Sequence, residues 1–159
     1  MEPVRPEPVR PDVSAADRMK IAAEQLVPLI EELEAELGKE AAHRLVARSV
    51  RRRTQDEVRV HLQAHGRSKQ VLRAMAEPHA PACEATYLPG DRSRFDFDVT
   101  ACQYHEHFRA LGRPDLGYLL NCQADEWAAE LLDDVTFERP STLMQGGDRC
   151  RFRYGFSGT

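Results

Sequence analysis

The stretch NCQADEW, Asn121 to Trp127, sets the thiol of Cys122 three residues ahead of the carboxylate of Asp125. Residues three apart are neighbours on a helical turn, so the two groups can share a proton. In such a pair the carboxylate accepts the proton as the thiol attacks or binds. The electrostatics oppose an easy thiolate, because an ionised acid nearby raises a thiol above its ordinary value of about 8.5. By spacing alone the commoner case is a polar-face thiol beside a solvated acid.

Two further thiols bear on that choice. Cys102 follows the alternating run Phe95–Thr100, at a strand-to-helix corner where functional side chains often project. Cys150 lies on the apolar face of the last strand, just past Gly146 and Gly147, where a small thiol also packs well as plain core. Three thiols and a carboxylate suit a soft metal such as zinc. No two cysteines are close in sequence, so zinc ranks below a metal-free site and no cofactor is expected. His105 and His107 of YHEHF follow Cys102. At this spacing on a helix they point apart, so at most one reaches a shared pocket as acid or base. His61 and His65 have the spacing of a helical metal pair but bring no Glu and no third ligand, which favours a solvated face. Arg51 to Arg53 read as a solvated face or a partner contact.

The chain has 159 residues and a formal net charge of −4, enough for one domain with its own core and without a basic footprint for nucleic acid. No apolar run approaches the roughly 20 residues that span a bilayer, and the N-terminus lacks a secretory-type apolar stretch. A cytoplasmic protein with reduced thiols is therefore expected, binding a small molecule rather than nucleic acid or membrane. The doubled EPVRP unit predicts a disordered, proline-rich tail over residues 1–13, followed by a single α+β domain over 14–159. That domain divides into a helical part, 14–80, and a part carrying the sheet and the candidate site, 81–159.

Ser14 with Asp17 forms a capping-box signal for a first helix that carries Ile21, Leu26, Leu29, Ile30, Leu33 and Leu37 and stops at Gly38. Pro28 interrupts it and predicts a kink. A second helix from about Glu40 ends near Gly66, and a third covers Ser68 to about Glu77. The N-terminal helices also offer a surface for a homo-oligomer. After Pro81 the period changes from helix to strand. CEATYL and RFDFDVT flank a PGD turn, and VTFERPSTLM and RCRFRYGF flank QGGD, giving two hairpins. Asp96 and Asp98 on one wet face complement Arg149, Arg151 and Arg153, so the second and last strands are expected to be neighbours. The fold class that results is α+β. N-terminal helices pack on one face of a four-stranded antiparallel sheet, with two short helices between the hairpins.

If Pro114 to Leu132 formed one straight helix, Leu116, Leu119, Leu120, Ala124, Trp127 and Leu131 would make the buried stripe. Cys122 and Asp125 would then project from nearly the opposite side. Alternatively the helix breaks at NCQAD, with Asp125 capping a new helix and Cys122 just before it, where the macrodipole favours a thiolate.

The segments FDFDVTACQYHEHFRALGRPDLGYLLNCQAD and FERPSTLMQGGDRCRFRYGF carry a resemblance to the L-2-amino-thiazoline-4-carboxylic acid hydrolase family. The matching set is Cys102, Tyr104, the Leu111-Gly112 turn, Cys122, Asp125, Thr142, Gly146 and Cys150, within roughly residues 95–156. The resemblance implies hydrolytic opening of a cyclic isothiourea to a carbamoylated cysteine. It implies a site of Cys122, Asp125, Cys102 and Cys150, with Tyr104 and Thr142 nearby. On chemical grounds Tyr104, His105, Arg139 and Thr142 are the expected substrate-binding residues. The expected chemistry puts Cys122 as nucleophile and Asp125 as its proton acceptor and later donor. A looser likeness in kind links the Cys122/Asp125/Cys150 set to organomercurial lyases, which use two thiols and an acid. The alternative is a non-catalytic module in which the same thiols bind a soft metal or a small ligand.

Overall fold

A computed structural model describes residues 12–157. Residues 1–11, which hold nearly all of the expected tail, lie outside the described residues. Helix α1 (Ala15–Leu37) opens on Ser14, whose hydroxyl accepts from the Asp17 backbone N–H at 3.0 Å. Asp17 returns the contact to the Ser14 hydroxyl at 2.8 Å, not to the backbone N–H that a full capping box uses. Pro28 sits inside α1 and the helix continues past it. Gly38, at φ 81°, turns the chain directly into α2 (Lys39–His65), and Gly66 closes α2 in the left-handed region at φ 70°. Helix α3 (Ser68–Ala76) and a 3-10 segment, Glu77–Ala82, lead into the sheet.

The four strands are β1 (Cys83–Tyr87), β2 (Arg94–Cys102), β3 (Val135–Glu138) and β4 (Cys150–Phe156). They pair antiparallel in the order β1-β2-β4-β3. The expected β2–β4 adjacency is present, with Asp96 opposite Arg153 and Asp98 opposite Arg151. On the outer face Asp98 binds Arg153 at 2.7 Å and Arg149 at 3.6 Å. The strand expected over VTFERPSTLM is shorter than its sequence suggests. It ends at Glu138, before Pro140, and Leu143–Gln145 form a 3-10 turn capped by Thr142. Proline has no N–H to give to a ladder, so pairing stops ahead of it.

Between the hairpins run α4 (Gln103–Ala110), α5 (Pro114–Gly117), a π-turn (Tyr118–Cys122) and α6 (Ala124–Glu130). The straight helix over 114–132 is therefore corrected. The Gln123 N–H reaches back five residues to the Tyr118 carbonyl at 2.9 Å, which inserts one residue and shifts the helical phase. The alternative, a break capped by Asp125, is corrected too: Gln123 holds the N-cap and Asp125 lies in the first turn of α6.

Apolar packing falls into two clusters. One joins α1 and α2 to Tyr104, Phe108, Leu116, Leu119, Leu120 and Trp127. The other lies on the sheet's inner face, where Val58, Val71, Leu72, Ala128 and Leu132 meet Tyr154 and Phe156. Trp127 and Ala128 face different clusters, so α6 is wedged between helical layer and sheet. Gly117 permits the close approach of α5 to α4. A Cβ there would stand 2.7 Å from Phe108 Cβ and Cγ and from Met144 Sδ. Gly117→Ala is expected to cost about 1–3 kcal/mol by overpacking, read as a lower urea midpoint with an unchanged slope. Among the described residues no helix is long and apolar enough to cross a membrane.

Candidate active site

Cys83 opens β1 and Cys102 closes β2, and the two are direct partners across the hairpin. A register shift between Glu84 and Ala85 makes them so. Cys102 is also the N-cap of α4. Interaction with Cys83 and with the backbone N–H groups of His105 and Tyr104 outweighs burial and brings the Cys102 thiol down to about 7. Cys83, beside Cys102 and partly desolvated, is pushed far up.

Cys122 ends the π-turn and packs against the helical cluster with Cys83, Cys102 and Tyr118. Burial pushes its thiol well up; Arg139 draws it back and Asp125 raises it again. Cys150 begins β4 opposite Val99, and its Sγ accepts the Leu143 N–H at 3.3 Å. Burial raises Cys150 as well. Cys122 feels the charges of Cys102, Cys150, Asp125 and Arg139, and Cys83 those of Cys102, Cys150 and Asp125. All four thiols thus converge on one region beneath the sheet.

Arg139 anchors that region. Its side chain is 2% exposed, bound to Asp125 Oδ2 at 2.6 Å and Glu126 Oε1 at 3.0 Å. It also donates to the Cys122 carbonyl at 3.0 Å. Three rings, Phe152, Phe137 and Tyr118, lie 5.3–5.6 Å from the guanidinium. Tyr118 hydrogen-bonds Glu126 through its hydroxyl. Two carboxylates thus share one cation. Burial pushes Asp125 above the usual carboxylate range, with Arg139 opposing. Asp125 keeps 39% of its side-chain surface accessible, beside a guanidinium packed on the half-buried rings Phe137 and Phe152.

The other expected residues are placed as follows. The Tyr104 hydroxyl meets His79 Nδ1 at 2.5 Å and lies within electrostatic reach of Cys83 and Cys102. Burial raises Tyr104, whose phenol stays protonated and can donate to that ring nitrogen. The His105 backbone N–H lies close enough to Cys102 to help lower its thiol. The Thr142 hydroxyl is engaged in its own turn, accepting from the Gln145 N–H at 3.1 Å and donating to that side chain at 3.1 Å. Thr142 thereby positions the Leu143 N–H that holds Cys150. His61 and His65 stack on each other near the end of α2. Among the described residues the thiols do not gather as a trio within 4.8 Å, whereas Glu34, His43 and Asp115 do. Arg113 and Lys39 already bind that trio's carboxylates, Glu34 at 2.6 Å and Asp115 at 2.8 Å, leaving little need for a metal. A groove of about 720 Å³ between α3 and the β1–β2 turn contains none of the thiols, and Lys69 on its wall already serves backbone carbonyls.

Sequence reasoning passed over Cys83, Tyr118 and Glu126. Cys83 had a signal, since it starts the strand whose partner ends at Cys102. Glu126 adjoins Asp125 but points to Arg139 only because of the π-turn.

The model of the L-2-amino-thiazoline-4-carboxylic acid hydrolases matches residues 18–154, most of the chain. The chain belongs to the L-2-amino-thiazoline-4-carboxylic acid hydrolase family. The match takes in α1 to α3, well beyond the segment 95–156 that carries the resemblance by eye. No curated relative matches the sequence. Among solved structures, this family member is similar to the phenol-responsive sensory domain of the transcription activator PoxR, determined with phenol. The TM-score is 0.52 at 15% identity, over 83% of this chain and 73% of that one. That likeness is one of fold.

Proposed function

We propose that the protein is a small-molecule hydrolase that opens a cyclic isothiourea or related amidine-like ring, with Cys102 as its nucleophile. The observation that carries this reading is the setting of Cys102, the N-cap residue of α4 and cross-strand partner of Cys83, where its thiol is brought down to about 7. Cys122, the nucleophile favoured by the sequence, is pushed up by burial and beside Asp125, which suits a lining group better. Family membership supports the substrate class.

In the proposed step the Cys102 thiolate adds to the amidine carbon, and the ring carbon–sulfur bond breaks. The ring sulfur leaves as a thiolate and takes a proton. Water then adds to the S-linked amidinium carbon, its proton passing to Asp125, and Cys102 departs as thiolate with a carbamoylated amine as product. Asp125 suits this exchange because burial raises it toward neutrality while Arg139 fixes its orientation.

A second reading, a ligand-sensing module, draws on the fold shared with a phenol-responsive domain and on the cluster of Phe97, Phe137 and Phe152 rings beside Arg139. One experiment separates the two. Purified, reduced protein is incubated with L-2-amino-thiazoline-4-carboxylate and the ring-opened thiol is followed with a thiol reagent. Turnover above the no-enzyme rate supports the hydrolase. Absence of turnover, with saturable heat on titrating phenol, supports the sensor instead.

A further inference from the structure

We propose that Cys83 and Cys102 form a redox modification site, closing to a reversible disulfide when a hydroperoxide reaches them. The two residues are direct cross-strand partners, and both pack against the same helical core cluster. Directly opposed residues of an antiparallel pair have Cα atoms about 4.5–5.5 Å apart, inside the span of about 4.4–6.8 Å that a disulfide bridges. Closing the bond therefore calls for side-chain rotation and no backbone rearrangement. A peroxide has access, because β1 is an edge strand exposed from Glu84 to Tyr87 and both thiols are half-buried. The other thiols are poorer partners. Cys150 is buried with its sulfur held by Leu143, and Cys122 sits on the π-turn with its thiol pushed far up.

The chemistry balances with the peroxide as two-electron oxidant. The Cys102 thiolate attacks the O–O bond, gains one oxygen as sulfenic acid and releases hydroxide, which takes a proton from solvent. The Cys83 sulfur then attacks Cys102, the S–O bond breaks, and the oxygen leaves as water with the Cys83 proton. Two thiols and one peroxide become a disulfide and two waters. A dithiol reductant restores both by exchange. The structural part of this inference stands on the strand pairing alone. Its consequence, that oxidation halts hydrolysis by removing the nucleophile, rests on the reading of Cys102 proposed above.

The test treats the reduced full chain with equimolar hydrogen peroxide and maps the thiols by mass spectrometry without reduction. The expected result is a loss of two hydrogens shared by the peptides carrying Cys83 and Cys102, reversed by dithiothreitol. In Cys83→Ala the same treatment should leave Cys102 as a sulfenic acid that a dimedone probe captures, and a second equivalent of peroxide should carry it on to sulfinic acid, which dithiothreitol does not repair. Oxidised Cys102 beside a still alkylatable Cys83 in the unsubstituted protein would overturn the proposal, as would a bridge between other cysteines or no oxidation of Cys102. Hydrolysis measured on the same samples should fall at least tenfold and return on reduction. If the disulfide maps as expected in a protein without any hydrolysis, the hydrolase reading fails and the redox site stands.

Discussion

Cys102→Ser is expected to lower hydrolysis of a cyclic isothiourea by on the order of 10³-fold or more, because a hydroxyl in that position stays protonated near neutral pH. Cys122→Ser should retain far more activity, since its thiol is held protonated by burial. The pH profile gives an independent reading. Activity should rise as Cys102 ionises, with an apparent pKa of about 7. The largest contribution to that low value is the interaction with Cys83. Cys83→Ala should therefore move the rising limb to higher pH while leaving the plateau less affected. A structural role for Cys83 alone would lower the plateau without moving the limb. Full turnover in Cys102→Ser would return the assignment to Cys122.

The second large effect concerns stability. Arg139→Leu is expected to cost about 3 kcal/mol, the low end for breaking a buried ion pair, because Asp125 and Glu126 retain 39% and 36% of their side-chain surface. For a chain of this size that corresponds to a fall in Tm of about 6–12 °C. The deficit should depend on pH in a defined direction. Asp125 is already raised by burial, with Arg139 opposing, so removing the cation raises it further. Across the interval between the unfolded and folded values the native state holds a proton that the unfolded chain has released. Stability therefore falls as pH rises through that interval and recovers below it. Urea midpoints for Arg139→Leu should lie closer to those of the unsubstituted protein at about pH 5 than at about pH 8. A gap that is equal at both values would mean that Asp125 is not the group left unpaired.

Much of this architecture is legible in the residue pattern, because it depends on local periodicities. Alternation in Phe95–Val99 and Cys150–Phe156 marks two strands, and their facing Asp and Arg sets identify them as neighbours. Ser14, Gly38 and Gly66 mark helix ends by their own chemistry. What remains hidden is each place where one residue is gained or lost. Counting outward from the pair Tyr87–Phe97 would set Cys83 opposite Ala101, and only the shift at Glu84/Ala85 brings it to Cys102. The π-turn similarly escapes a reading that assumes a constant helical period. Both irregularities are selected by tertiary packing and leave no compositional trace. The thiol and carboxylate types of the site were thus readable, while their electrostatic ranking, with Cys102 low and Cys122 high, emerges only from the backbone groups and burial around each.

The π-turn at Tyr118–Cys122 also divides labour along the chain. Upstream, Leu116, Leu119 and Leu120 are committed to the helical core. Downstream, α6 delivers Asp125 and Glu126 to Arg139. The extra residue uncouples the angular setting of the two halves. Substitutions on the face of α6 that meets Arg139 can therefore alter the surroundings of the two carboxylates without repacking the leucines upstream. That is a structural route by which one family scaffold can vary its candidate site at small cost in stability.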